Sequence, residues 1–223
     1  MRLITLLLLC VVSPVRADSV CRGQSHQGSI EGAVRLPASG ENFVVFSELA
    51  WHLGRTHVHH QVAEVVMSSY TELVNTRPGT QYMYAETGWP QGGRFKPHRT
   101  HQNGLSVDFM VPVLKDMRSV LLPVSISNRW GYDLEFNAEG QMGAYRIDYA
   151  ALADHLKTLH QHAVAAGFDI KKVILDPRLQ PAVLDTPAGA YLREHITFNH
   201  QQVWVRHDEH YHVDFAIPCQ PLP

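Results

Sequence analysis

The chain has 223 residues, 45% of them hydrophobic and 18% charged, the balance of a soluble globular protein of one domain or at most two. Its 13 Pro and 15 Gly are spread along the chain and its charges form no blocks, which excludes a disordered chain and a coiled coil. A net charge of -2 and a pI near 6.7 leave no electrostatic footprint for nucleic acid or an acidic membrane. Histidine is the outlier, with 15 residues against 8 Tyr and 8 Phe. It is the commonest metal ligand and the side chain that changes charge near neutrality, so this excess points to a site before any motif is read.

The N-terminus reads as a signal peptide. Arg2 is followed by an apolar run from Leu3 to Val12 and by the exit Ser13-Pro14-Val15-Arg16-Ala17. That run is half the roughly 20 residues a membrane span needs. Cleavage after Ala17 is expected, with an uncleaved anchor as the other reading; no Cys follows the exit, which argues against a lipoprotein. Residues 18–223 then form one domain, with no membrane span. Cys10 leaves with the peptide, and Cys21 and Cys219 remain at opposite ends of the mature chain. In an oxidising compartment these two are expected to pair, closing a loop worth about 4–5 kcal/mol on the chain-entropy model. Two free thiols are the alternative.

Further along, Phe43 to Phe46 predicts a short strand. Val58, Val62, Val65, Val66, Leu73 and Val74 recur near helical spacing and predict a helix that Pro78-Gly79 ends. Gln81 to Ala85 reads as a strand, Gly92-Gly93 as a loop, and Leu105 to Val113 as a strand until Pro112. The clearest element is a helix capped by Asp148, striped by Leu152, Leu156, Leu159 and Ala163, and closed by Gly167. Lys172 to Leu175 follows as a strand halted by Asp176-Pro177. A third helix is expected after Thr186, with Pro187 in its first turn, and a last strand from Val203 or Tyr211 to Ile217. Helices and strands mix without regular βαβ alternation, which defines an α+β class.

Two stretches hold the informative residues, Lys96 to Asp108 and Arg206 to Asp214. On a strand His210 and His212 share one face, because side chains alternate with period two, and their Cα atoms are about 6–7 Å apart. His101 and Asp108 lie an odd number of positions apart, which one regular strand would put on opposite faces. Asn103-Gly104 permits a turn that returns His101 to the Asp108 side. Asp108, between Val107 and Phe109, reads as a carboxylate on a half-buried strand, an environment that demands a partner charge or a metal. His, Asp and His together suit tetrahedral zinc with a fourth position left for water. Taken alone, the H-x-H pair reads equally well as a solvated strand face.

Gly92-Gly93-Arg94-Phe95, His98-x2-His101-Gln102-x-Gly104-Leu105-x-Val107-Asp108-Phe109 and His207-x2-His210-x-His212-Val213 together resemble the penicillin-insensitive murein endopeptidases. These belong to the zinc superfamily of lysostaphin, D-Ala-D-Ala metallopeptidases and the sonic hedgehog signalling domain. The likeness extends over most of the mature chain. It implies one zinc held by His101, Asp108 and His212, with His210 and His207 as catalytic histidines and His98 as a further site residue. It implies hydrolysis of peptidoglycan cross-bridges between D-alanine and diaminopimelate by a metal-activated water in the periplasm. A small antiparallel sheet flanked by helices would carry the site. Ser106 departs from the pattern, standing where those enzymes carry Asp, and His98 follows Pro97 rather than glycine. No Asp and His match those that hold further metal in the murein enzyme, so a second metal is not supported.

Other readings stay open at this level: a carboxypeptidase of the same superfamily, a non-catalytic zinc domain, and a periplasmic metal carrier. Elsewhere, His57, His59 and His60 are expected on a polar helix face, and His155, His160 and His162 toward solvent. Trp51, Trp89, Trp130 and Trp204 are expected in the core. Glu209 is expected to alternate away from His210 and His212.

Overall fold

The computed structural model describes residues 18–203 and 205–223; residues 1–17, where a signal peptide is expected, and Trp204 lie outside the described residues. The chain opens with a hairpin, β1 (Val20–Gln24) and β2 (Gln27–Glu31). Next come β3 (Val34–Arg35), β4 (Phe43–Val45), the short helix α1 (Glu48–His52) and β5 (His57–Val58), which pairs with β3. Helix α2 (His60–Thr76) leads to β6 (Tyr82–Tyr84) and, after a long loop, to β7 (Ser106–Met110). A second small sheet holds β8 (Val113–Lys115), β9 (Arg118–Val120), β10 (Gln141–Met142) and β11 (Tyr145–Ile147). Helix α3 (Tyr149–Ala165), β12 (Ile170–Ile174), α4 (Gln180–Leu184), α5 (Gly189–His195) and β13 (His210–Phe215) complete the chain. The architecture is α+β.

The central sheet has strand order β12-β13-β7-β6-β4, antiparallel except for the β4–β6 pair at one edge. Its register sets His212 opposite Asp108, Tyr211 opposite Phe109 and Asp214 opposite Ser106. Strand alternation then sorts the side chains. Phe109 and Tyr211 stack at 5.5 Å and meet Tyr70 of α2 and His155 of α3. Asp108, His212, Ser106 and Asp214 bond one another on the opposite face. All five residues of β7 and all six of β13 are buried, so Asp108 is fully rather than half buried. Both faces of this sheet are covered.

Helix α2 begins two residues later than its apolar spacing suggests, because Val58 already belongs to β5. The helix buries Val62, Val65, Val66, Tyr70 and Leu73 against the sheet and α3. Helix α3 follows its sequence signals: Asp148 accepts the Ala151 amide at 3.0 Å, the Leu stripe is buried, and Gly167 takes φ +88 beyond the end. Helix α4 has no counterpart in the sequence reading, and Pro187 lies just ahead of the Ala188 cap of α5 rather than inside its first turn.

Several polar residues lie deeper than expected. His155 and His160 are buried, not solvent-facing: His155 bonds the Tyr211 hydroxyl, and His160 lies 2.6 Å from the Tyr191 hydroxyl and 3.0 Å from Asp169. His162 is half-buried beside Glu72 at 3.0 Å. His57, His59 and His60 form no common helix face. His57 is on β5, His59 caps α2 through the Gln61 amide, and His60 receives the Ser19 amide. Of the three described tryptophans, Trp51 is half-buried and packs against the core, Trp89 is half-buried and Trp130 is exposed.

The disulfide Cys21–Cys219 joins the two ends of the chain across 198 positions. Flanking bonds from Gly23 N to Gln220 O and from Gln220 N to Cys21 O, both 2.9 Å, extend the junction. The N-terminal hairpin in turn holds the loop ahead of β7, with Gln102 N on Ser25 O at 3.0 Å and Gly93 N on Gly28 O at 3.1 Å.

Candidate metal centre

Loop geometry brings His101 to Asp108. His101 itself takes φ +69, and Gly104 takes φ +76 where an added Cβ would lie 2.5 Å from Ile30 Cδ1. The Gly104 carbonyl accepts the His59 amide at 2.9 Å, which ties this turn to the start of α2. The chain therefore reverses between His101 and β7, and the odd sequence offset is absorbed.

Around Asp108 each imidazole is held from outside. His101 Nδ1 donates to the Thr87 carbonyl at 3.2 Å, His212 Nε2 donates to Asp214 Oδ1 at 2.9 Å, and His98 Nε2 donates to Glu86 Oε2 at 2.5 Å. Their other nitrogens face one carboxylate: His212 Nδ1 is 2.8 Å from Asp108 Oδ1, while His101 Nε2 and His98 Nδ1 are 3.2 and 3.5 Å from Oδ2. His101 Nε2 is fully buried yet makes no hydrogen bond of acceptable geometry. The donor atoms of His98, His101 and Asp108 all lie within 4.8 Å of one another. An orphaned buried nitrogen, a carboxylate and further imidazoles with satisfied outer nitrogens fit a divalent cation such as zinc.

The electrostatics agree. Burial pushes the Asp108 carboxyl up, but His101 and His212 outweigh it and hold the group well below its ordinary value. Burial pushes His212 down, whereas Asp214 and Asp108 drive it up to about 10. Protonated, this ring donates to a carboxylate at each nitrogen, a positive charge whose place a bound cation could take. Burial is the largest influence on His101 and lowers it.

Beside this cluster, His210 Nδ1 is 2.8 Å from Glu209 Oε1, so Glu209 does not turn away from the site. Burial lowers His210, but the Glu209 charge prevails and raises it. His207 takes φ +56 and lies tilted against His210, ring centroids 4.5 Å apart, with Nδ1 donating to the Val205 carbonyl at 2.7 Å. Desolvation pushes His207 down to about 3. A cavity of about 20 Å³, room for one water, is lined by His98, Asp108, Glu86, Tyr132, Glu209 and His210 among others. Beyond it opens a cleft of about 640 Å³ that shares Phe46, Glu86, Trp130 and Tyr132 and adds Leu49 and Leu53.

The structure thus gathers His98, His101, Asp108, His210 and His212, with His207 against His210. Sequence reasoning missed Glu86, which Arg55 also engages, and Tyr132, 3.3 Å from His98 Nε2. It also missed Asp214, although H-x-H-x-D spacing puts that residue on the face of His212. No sequence pattern marked Glu86 or Tyr132.

A buried carboxylate ringed by tautomer-fixed imidazoles, at the mouth of an open cleft, has the donor set of a His/Asp metal site on an α+β scaffold. The family model of the penicillin-insensitive murein endopeptidases matches residues 21–221, and the chain belongs to that family. Membership makes it a murein-degrading peptidase with peptidoglycan as substrate. Comparison with curated proteins found no match. No helix among the described residues is long and apolar enough to cross a membrane.

Proposed function

We propose that this chain is a zinc-dependent D,D-endopeptidase that hydrolyses murein cross-bridges in the periplasm, reached through cleavage of residues 1–17. The observation that carries the reading is the convergence of His101 Nε2 and His212 Nδ1 on the two oxygens of Asp108, each ring anchored at its other nitrogen. His101, Asp108 and His212 are the residues to hold one zinc, with His98 beside them. Zinc, when bound, supplies a Lewis acid for the scissile carbonyl and acidifies water toward a pKa of about 7.

The remaining work falls to the chain. His210, with Nδ1 on Glu209, keeps Nε2 available to take a proton from water in the small cavity. Proton transfer of this kind contributes about 10²–10⁴-fold. His207, with Nδ1–H donating to the Val205 carbonyl and the ring kept neutral by burial, presents the lone pair of Nε2 and can share in accepting that proton. Leu49, Leu53 and Trp130 in the outer cleft receive the apolar parts of the peptide, and the Tyr132 hydroxyl stays protonated through burial and can donate. Water attacks directly, with no serine acylated, so β-lactams have no nucleophile to trap.

The test is a digest of cross-linked sacculi by the zinc-loaded protein, read by mass spectrometry beside His210→Ala and a chelator control. Conversion of dimers to monomers, abolished by both controls, is the expected result. Trimmed stems with intact dimers would replace endopeptidase by carboxypeptidase action. Unchanged sacculi with zinc present would leave a binding domain.

A further inference from the structure

Asp214 lies outside the proposed ligand set, yet its buried carboxylate meets three side chains. Oδ1 accepts from His212 Nε2 at 2.9 Å and from Ser106 Oγ at 2.6 Å, and Oδ2 is 3.9 Å from Lys172 Nζ. The register explains why all four meet. Asp214 pairs directly with Ser106 on β7 and with Lys172 on β12, while His212, two positions earlier, shares its face and pairs with Asp108. Next to the Asp108–His212 row of the sheet therefore runs a second row, Lys172–Asp214–Ser106.

We propose that Asp214 is a positioning residue: held by Ser106, it fixes the tautomer and ring orientation of His212, so that Nδ1 presents its lone pair to the metal. This rests on the zinc reading above. Neutral imidazole carries a single N–H, and two carboxylates compete for it from opposite ends of the ring. If the proton sits on Nδ1, it bonds Asp108 and the lone pair needed for coordination is lost. If it sits on Nε2, Asp214 takes the hydrogen bond and Nδ1 is free. The Ser106 hydroxyl locks the rotamer of Asp214 from one side, and Lys172 flanks its other oxygen at 3.9 Å. Outer partners of metal-bound histidines contribute about 10–100-fold in affinity.

The experiment measures zinc affinity by chelator competition, with the visible spectrum of the Co(II)-substituted protein as a second readout. It uses the wild type, Asp214→Ala, Ser106→Ala and the exchanged pair Ser106→Asp/Asp214→Ser. Asp214→Ala should lose about 10–100-fold in affinity and shift the Co(II) bands. Ser106→Ala, which retains the carboxylate but frees its rotamer, should lose less. The exchanged pair returns a carboxylate from the facing strand and should recover most of the affinity, a rescue that a merely structural role does not predict. Wild-type affinity and spectrum in Asp214→Ala would overturn the proposal. So would equal losses in Asp214→Ala and the folded exchanged pair. Should Asp214→Ala fail to fold, Ser106→Ala decides, and an unchanged affinity there overturns the proposal. A wild type that takes up no zinc overturns the metal reading itself, and this inference with it.

Discussion

Acid should weaken this protein through one residue far from solvent. His155 of α3 is fully buried, packs 4.7 Å from Phe109 and 5.1 Å from Tyr70, and bonds the Tyr211 hydroxyl on the sheet face opposite Asp108 and His212. Desolvation pushes it down to about 3, whereas the unfolded chain titrates it at 6.5. The folded pKa is the lower, so below pH 6.5 the unfolded state binds the extra proton and stability falls with pH. The loss starts near 6.5 and is complete near 3. At pH 5 it amounts to about 2 kcal/mol relative to pH 7, from 1.36 kcal/mol for each pH unit below 6.5. Urea unfolding of the wild type and of His155→Phe at pH 7 and pH 5 isolates this contribution, because His59 and His207 titrate in both proteins. The variant starts less stable, having stranded the Tyr211 hydroxyl, but its fall between the two pH values should be smaller by about 2 kcal/mol. Equal falls in the two proteins would refute the assignment of a buried neutral histidine.

Three further outcomes follow from the structure. His101→Ala and Asp108→Ala should lose both zinc and murein hydrolysis, whereas His210→Ala should keep zinc in a metal assay and lose about 10²–10⁴-fold in turnover. Replacing Cys21 and Cys219 with Ser removes a cross-link spanning 198 positions. The chain-entropy model puts the loss near 5 kcal/mol, readable as a lower melting temperature that reductant reproduces in the wild type and leaves unchanged in the variant. Gly104→Ala forces a side chain onto φ +76 and into Ile30. A cost of about 1–3 kcal/mol in urea is expected, together with weaker zinc binding, since the same turn carries His101.

What the sequence determined by itself is the chemistry-bearing set and the best-punctuated elements. His101, Asp108, His210 and His212 could be singled out because His and Asp are metal-ligating types, and strand alternation alone relates His210 to His212. Helix α3 could be read because its cap, stripe and closing glycine are all local signals. Tertiary structure decided everything that depends on which strands meet. Asp214 acquires meaning only when β13 pairs with β7 and β12, and Glu86 only when the loop before β7 folds back to bring His98 against it. The depth of His155 and His160 escaped the sequence because a polar residue on a striped helix looks solvent-facing until the hydroxyls of Tyr211 and Tyr191 arrive from distant segments. Glu209 was misread because alternation holds only within a strand, and it lies one residue before β13 begins. Local signals are written in neighbouring residues. Partners for buried polar groups come from segments up to about a hundred positions away, and only the folded register brings them together.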